Sequence, residues 1–269
     1  MMQNHFALLC SSSSLFSGLS SFVTSVSQTA AQTTEPVVAS LSLFDGSTFS
    51  ARSMAVVVIH VLTLIACVTV HEFGHAYVAD RLGDPLPREQ GRVTLNPLAH
   101  IDWLGTVLFP ALMALGAAIP LAWGKPVEWT GNPRYFSRRW SMRSVRLLVS
   151  TAGPAMNLLL AIFSSIVFVV AMKFHAIGIA AMSRQLLLLN LGLMCFNLLP
   201  IPPLDGRTFL EFLPNVFSPV RDFLFRYGSF VFLGLILLPP IGGLSPLHWL
   251  MTPFFWFIEK YMFLLMYLV

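Results

Sequence analysis

The sequence predicts an all-α polytopic membrane protein, and its composition is the first observation that supports this fold class. Hydrophobic residues make up 56% of the 269-residue chain, and charged residues only 10%. Soluble domains carry about 25% charged residues, because polar side chains must cover their core. The second observation is that the apolar residues gather into runs near the ~20 residues that cross a bilayer as a helix. We expect about five to six transmembrane helices, with a re-entrant hairpin and a small β element near a polar site.

The first 53 residues differ in composition from the rest of the chain. They are rich in Ser and Thr, and they contain no Lys or Arg before Arg52. A signal peptide requires a positively charged start, and a transit peptide is rich in Arg. We therefore expect residues 1–53 to be a poorly ordered N-terminal segment and residues 54–269 to form a single membrane domain.

Six apolar runs follow this segment and mark the candidate spans. They cover residues 54–79, 104–123, 147–172, 185–199, 223–238 and 249–269. The second run is exceptional, since Pro110, Gly116 and Pro120 interrupt it. Proline removes a helical hydrogen bond and breaks or kinks a helix.

The positions of the arginines also distinguish the second run from the others. Arg81, Arg88 and Arg92 precede it, and five more arginines lie at residues 134–146 after it. Loops rich in Lys and Arg face the cytoplasm, so both flanks of this run should lie on the same side. We therefore predict a re-entrant hairpin there, in a multi-pass protein of the cell (inner) membrane. Irregular backbone at that depth must face protein or a wet cavity, which places the hairpin beside a polar site.

The end of the first run contains the motif HExxH, as His71-Glu72-Phe73-Gly74-His75. Residues i and i+4 share one face of a helix, so the two imidazoles can bind one Zn²⁺. Glu72 is then available to take a proton from the attacking water. A buried Glu and two His residues inside an apolar span are costly and usually functional. The alternative is that the span simply ends here and the polar cluster lies at the membrane interface.

Two histidines leave catalytic zinc one protein ligand short, since three ligands and a water are usual. Asp205 is the best candidate, because the prolines before it force irregular backbone near the membrane, and a carboxylate there should face a polar cavity. It could instead belong to an ordinary Pro-Leu-Asp-Gly turn. His100 is a rival ligand. Asn197 lies within the same apolar run and could donate a hydrogen bond to an oxyanion or to substrate backbone.

Two further segments contain polar residues of interest. The stretch Gly91-Arg92-Val93-Thr94-Leu95, within residues 88–98, is the candidate β element at the membrane edge. In the third run, the small residues of AGPAMN at positions 152–157 permit close helix approach. Asn157 is then expected to form an interhelical hydrogen bond or to line the cavity.

Taken in order, these segments resemble the site-2 protease family of intramembrane zinc metalloproteases. HEFGH at 71–75, AGPAMN at 152–157 and FNLLPIPPLDG at 196–206 match its three signature regions. NPLAHID at 96–102 and WGKPV at 123–127 look like the compact bacterial branch without a PDZ domain. The resemblance covers about residues 54–207. It implies zinc on His71, His75 and Asp205, with Glu72 as general base and Asn197 near the scissile peptide.

The resemblance also implies what the protein acts on. The expected activity is hydrolysis of peptide bonds in or near the transmembrane segments of membrane proteins within the lipid bilayer. The active site should lie toward the cytoplasmic side, and no nucleic acid is expected as a partner. Two other functions are a catalytically inactive relative that regulates membrane helices by binding them, and a metal or ion transporter. The intact motif disfavours the first, and the lack of related halves disfavours the second.

Overall fold

The computed structural model describes residues 51–110, 123–238 and 246–268, with the backbone alone for residues 51–57 and His248. The predicted N-terminal segment therefore lies almost wholly outside the described residues, as do most residues of the predicted hairpin. The chain divides into two compact units, of which one comprises residues 59–110 and 120–269. The packing and the site described below belong to that unit.

Helices make up most of the described part of the chain. The α-helices are α1 (Ala51–Leu82), α2 (Leu86–Glu89), α3 (Met142–Lys173), α4 (Ile177–Asn197), α5 (Ser218–Leu237) and α6 (Pro246–Tyr267). Short 3₁₀ segments cover Pro97–Ala99, Asp205–Phe212 and Asn215–Phe217, and a π-helical turn covers Trp103–Leu108. The prediction of a mainly helical protein is confirmed.

The predicted β element does not form at residues 88–98, all of which are described. Gly91 ends the short helix α2 with a φ of 66°, and the Arg92 backbone N–H donates to the Pro87 carbonyl. Asn96 then begins the next 3₁₀ turn by accepting a hydrogen bond from the Leu98 N–H. Local turn bonds thus use backbone groups that a strand ladder would need, and a Gly at positive φ favours a turn.

Three helices in the described ranges are long and apolar enough to cross a membrane. They are Val58–Leu82, Met142–Lys173 and Ile177–Asn197. The third of these begins eight residues before the predicted run at 185–199, because Ser183 and Arg184 mask the apolar pattern. The Ser183 hydroxyl donates to the Ile179 carbonyl within the helix, so this polar side chain is satisfied without interrupting it.

Helix α3 shows how the described helices distribute their side chains. Large apolar residues such as Leu159, Phe163 and Ile166 are more than half exposed, whereas Ala161 and Ser164 are buried. Such a helix places small residues at its protein contacts and large apolar residues outside. That arrangement is typical of membrane helices, where small residues permit close packing, and it would be unfavourable in water.

Helix α3 packs against both α4 and α1, and the second contact positions the site. Its contact with α4 is built from Ala161, Phe168 and Ala171 on α3 with Ala180 and Leu187 on α4, among others. The contact with α1 is so close that it leaves no room for a side chain at Gly74. A Cβ added to Gly74 would lie 2.7 Å from the Ala152 carbonyl oxygen, so the glycine lets the two backbones approach. This approach places α3 directly against the HEFGH segment of α1.

Candidate metal centre and catalytic site

His71 and His75 lie one turn apart near the end of α1 and present their imidazoles to the same point. Their Nε2 atoms are 3.1 Å apart, and the two residues are 7% and 8% exposed. The helical spacing of the motif accounts for this convergence, as expected for residues i and i+4. The structure therefore brings together the two histidines that the sequence motif singled out.

Asp205 completes the cluster from a distant part of the chain. Its Oδ2 atom lies 3.1 Å from His71 Nε2 and 3.2 Å from His75 Nε2. Two contacts fix the backbone of this residue. On one side, the Ser150 hydroxyl donates to its carbonyl oxygen. On the other side, Gly206 packs so tightly against the carbonyl oxygens of Leu198 and Leu199 that a Cβ would overlap them.

The three converging atoms fit a zinc ion. Zinc bonds of about 2.0–2.2 Å to N and O in a tetrahedron give ligand–ligand separations of about 3.3 Å, close to the separations of 3.1–3.2 Å found here. The buried Asp205 Oδ2 also lacks a hydrogen-bond partner. Among the described residues, His71, His75 and Asp205 form the one group of His, Cys, Asp and Glu able to hold a metal ion. A metal ion bound between the two nitrogen atoms and the carboxylate oxygen would satisfy all three.

Helix α3 supplies the hydrogen bonds that orient both imidazoles. His75 Nδ1 lies 2.7 Å from the Val149 carbonyl oxygen, so it must carry the proton and leave Nε2 as a ligand. His71 Nδ1 lies 3.1 Å from the fully buried Asn157 amide, whose oxygen lacks a partner. With this amide turned over, its oxygen accepts the His71 Nδ1–H, which again frees Nε2. Such outer contacts fix the tautomer and direction of metal-binding histidines.

Gly153 lies between these two hydrogen bonds, against the cluster itself. A Cβ at this position would overlap the Nε2 atoms of both His71 and His75. Glycine is therefore required here for the close approach of α3, rather than for an unusual backbone angle. The AGPAMN segment was interpreted as a helix-packing motif, and the structure confirms that role for its small residues.

The Glu72 carboxylate receives a backbone hydrogen bond from the Val127 N–H, with an N···O distance of 3.0 Å. The chain before Val127 packs closely on α1, since a Cβ at Gly124 would overlap the Val68 side chain. The bond occupies Oε2 and leaves the second carboxylate oxygen to exchange a proton. A base must be positioned as well as present, and this contact does the positioning.

Arg92 holds the segment before Val127 in place. Its guanidinium donates to the carbonyl oxygens of Ala99, Lys125 and Pro126, and the residue is only 3% exposed. Burial lowers its pKa, yet an arginine remains charged because its ordinary pKa exceeds 12. The buried cation thus ties the loop before the predicted hairpin to the segment that contacts Glu72.

His100 is not part of the metal cluster, so the rival assignment of the third ligand is not supported. Its Nε2 lies 2.9 Å from the Thr94 carbonyl oxygen, and the side chain is almost completely buried. Burial lowers the pKa of His100 and so favours the neutral imidazole. The residue packs the loop that Arg92 holds.

Asn197 is the last residue of α4. The one side-chain hydrogen bond found for it among the described residues is to its own helix. The side-chain amide donates to the Leu193 carbonyl oxygen at 3.0 Å. The predicted role near a scissile peptide therefore stays a prediction.

Sequence reasoning did not identify Arg92, Val127 or Val149 as parts of the site. Val127 and Val149 act through a backbone N–H and a backbone carbonyl, which every residue possesses, so no residue type could reveal them. Arg92 did carry a signal. Its guanidinium has five N–H donors and follows a glycine, so it was a candidate for bonding several carbonyl oxygens.

Comparisons of the sequence with known proteins identify the family of this chain. A profile of peptidase family M50 matches residues 59–177, a range that contains HEFGH and Asn157 but ends before Asp205. YwhC of Bacillus subtilis is 40% identical over 191 residues, which are 66% of this chain and 80% of YwhC. Rip2 of Mycolicibacterium smegmatis is 30% identical over 201 residues, which are 71% of this chain and 69% of Rip2. The names of both relatives describe them as candidate zinc metalloproteases.

No solved structure matches the chain, so the fold rests on the helices described above. The identity to YwhC extends over four fifths of that protein, and His71, His75 and Asp205 form a group able to hold a metal ion. The chain belongs to peptidase family M50, the site-2 protease family, and is a zinc metalloprotease of that type.

Proposed function

We propose that this enzyme is an intramembrane endopeptidase that cleaves peptide bonds in or near transmembrane segments of other membrane proteins. The observation that supports this proposal best is the position of the cluster. His71, Glu72 and His75 belong to the helix Val58–Leu82, which is long and apolar enough to cross a membrane. A polar site built into such a helix acts on a peptide that reaches membrane depth.

His71, His75 and Asp205 would hold the zinc, and Glu72 would serve as the general base. When bound, zinc supplies Lewis-acid polarisation of the peptide carbonyl and lowers the pKa of a water molecule. Glu72 accepts the proton of the attacking water on the oxygen that Val127 leaves open, and it then returns the proton to the leaving amine. Asn197 would hydrogen-bond the scissile peptide after its amide rotates away from the Leu193 carbonyl.

The substrate segment must be extended at the cut. A helical peptide engages its carbonyl oxygens in i to i+4 hydrogen bonds and keeps its backbone behind its side chains. A transmembrane helix would therefore unwind locally before its carbonyl reaches Glu72. Helices with Gly or Pro near the cytoplasmic end are the preferred substrate class, since these residues lower the cost of unwinding.

An experiment with a tagged single-span reporter protein in oriented membrane vesicles tests this proposal. We expect one cut inside the apolar segment, in the half toward the cytoplasm, mapped by mass spectrometry of both fragments. A matched reporter with its apolar segment replaced by a soluble loop should remain uncut. Cleavage confined to exposed loops would contradict the intramembrane assignment. Zinc flux without cleavage would favour a transporter, and reporter binding without cleavage would favour a regulator.

We further propose a multi-pass protein of the inner membrane with its site toward the cytoplasm and a re-entrant hairpin before Trp123. The contact between the two ends of that run supports the hairpin, since the Trp123 N–H donates to the Gly105 carbonyl at 3.1 Å. The Thr106 hydroxyl also donates to the Trp123 carbonyl. Helices α5 and α6, of 20 and 22 residues, would provide the remaining spans.

Cysteine labelling tests this topology. Leu104→Cys and Lys125→Cys, introduced singly into a chain with Cys10→Ser, should react with a membrane-impermeant maleimide from the same side, the cytoplasm. Phe174→Cys, in the highly exposed turn between α3 and α4, should react from the opposite side and serves as the control. Labelling of Leu104 and Lys125 from opposite sides would replace the hairpin with a full span.

A further inference from the structure

The segment that joins the catalytic region to α3 presents an unpaired basic surface. Residues 132–143, NPRYFSRRWSMR, contain four arginines and no acidic residue; we refer to this segment as the arginine loop. Arg134, Arg138, Arg139 and Arg143 are all exposed. Three other arginines in the described part of the chain have carboxylate partners: Arg88 pairs with Asp80, Arg146 with Glu211 and Arg221 with Asp222. None of the four arginines of the loop forms such a pair with a described residue.

The arginine loop is a built structure that holds these charges outward. Its first turn closes with the Tyr135 N–H donating to the Asn132 carbonyl, and its second with the Trp140 N–H donating to the Ser137 carbonyl. Between the two turns, Phe136 is buried and packs with Ala79, Val145 and Val149. The buried ring anchors the loop to α1 and α3, so the charged side chains cannot turn inward to find partners.

Two exposed aromatic residues accompany the arginines. Tyr135 is 47% exposed and Trp140 is 46% exposed, one in each turn. Tyr and Trp are enriched where a protein meets the membrane interface, because the ring is apolar and the edge is polar. A loop that only repelled the membrane or faced bulk water would have no reason to expose them.

The arginine loop also ends where a membrane helix begins. Ser141 caps α3 by accepting a hydrogen bond from the Ser144 N–H, and the apolar helix Met142–Lys173 follows at once. With Met142–Lys173 placed across the membrane as proposed above, a basic and aromatic surface at this position would lie at the depth of the lipid phosphates. Lys and Arg clusters beside a membrane helix attract anionic lipids, and arginine matches phosphate oxygens with paired N–H donors.

We propose that the arginine loop binds the headgroups of anionic phospholipids in the membrane leaflet that it faces. This inference rests on the membrane placement given under the proposed function. Nucleic acid and acidic proteins could also pair with the arginines, but neither accounts for arginines and aromatic rings together at the start of an apolar helix long enough to cross a membrane. A phospholipid uses both features, since its phosphate meets the guanidinium and its glycerol region meets the rings.

Native mass spectrometry of the full-length protein in detergent measures this binding directly. The wild-type chain should retain added phosphatidylglycerol more tightly than phosphatidylcholine. Arg138→Gln with Arg139→Gln should weaken phosphatidylglycerol binding about 30-fold, since each arginine near an anionic surface contributes about a fivefold factor. Binding of phosphatidylcholine should not change. Arg138→Lys with Arg139→Lys keeps the charge and should retain most of the preference, and circular dichroism of each variant checks that its helices remain.

The matched control removes the same charge elsewhere, with Arg184→Gln and Arg226→Gln on α4 and α5. An equal loss of phosphatidylglycerol in this control would overturn the proposal, because net charge rather than the loop would then set the affinity. Equal retention of the two lipids by the wild type would also overturn the proposal. So would inorganic phosphate or an RNA oligonucleotide that binds more strongly than phosphatidylglycerol and displaces it. Peptidase activity is measured on the same samples. Cleavage without a lipid preference defeats this inference alone, and a lipid preference without cleavage defeats only the protease assignment.

Discussion

Replacing Glu72 by Gln should abolish peptide cleavage while the protein keeps its zinc. The amide has nearly the same size as the carboxylate, and its oxygen can still accept the Val127 N–H that the structure places at 3.0 Å. The amide cannot accept a proton from water or return one to the amine. General acid–base catalysis contributes about 10²–10⁴-fold, and Glu72 performs both transfers, so we expect a loss of about 10³-fold or more in kcat.

The measurement combines a reporter cleavage assay with metal analysis of the purified protein. Zinc content should stay near one ion per chain, because His71, His75 and Asp205 are unchanged. Glu259→Gln makes the same chemical change on the exposed side of α6 and should leave both quantities unaltered. If Glu72→Gln retained wild-type turnover, a different group would have to move the proton.

Replacing Asp205 by Ala should remove zinc and activity together. The carboxylate lies 3.1 and 3.2 Å from the two Nε2 atoms, and no other described carboxylate or imidazole belongs to this cluster. Loss of an outer partner of a metal ligand typically lowers metal affinity 10–100-fold, so loss of a direct ligand should cost about 100-fold or more. Titration with a zinc-competing chelator measures the affinity.

A graded pair of variants separates ligand loss from misfolding. Asn157→Leu removes the outer hydrogen bond to His71 and should weaken zinc binding less than Asp205→Ala does. Asp222→Ala, at an exposed carboxylate paired with Arg221, should have no effect. Normal zinc affinity in a folded Asp205→Ala protein would show that the third ligand lies elsewhere, and circular dichroism would establish that the helices remain.

More of the metal site than of the surrounding loops could be predicted from the sequence. The spacing of His71 and His75 determines their shared face by helix geometry alone. Asp205 was uncertain from spacing, because nothing local links residue 205 to residue 71. The resemblance identified it, and the structure brings its carboxylate to both histidines.

The loops were harder to predict because their contacts do not depend on residue type. A run such as Gly91-Arg92-Val93-Thr94-Leu95 has strand-forming residues, yet β-propensity depends on a partner strand to pair with. Arg92 instead uses its side chain to bind carbonyl oxygens of two loops. The start of α4 was not predicted, because Ser183 interrupts the apolar pattern of the sequence. In the structure, its hydroxyl donates within its own helix and does not interrupt it.

The glycine at position 153 has a consequence for the direction from which a peptide arrives. Since no methyl group fits between α3 and the Nε2 atoms of His71 and His75, neither a water molecule nor a substrate carbonyl can enter from that flank. The helix acts as the closed back wall of the chamber. A peptide must therefore approach the three side chains of the cluster from a side other than α3.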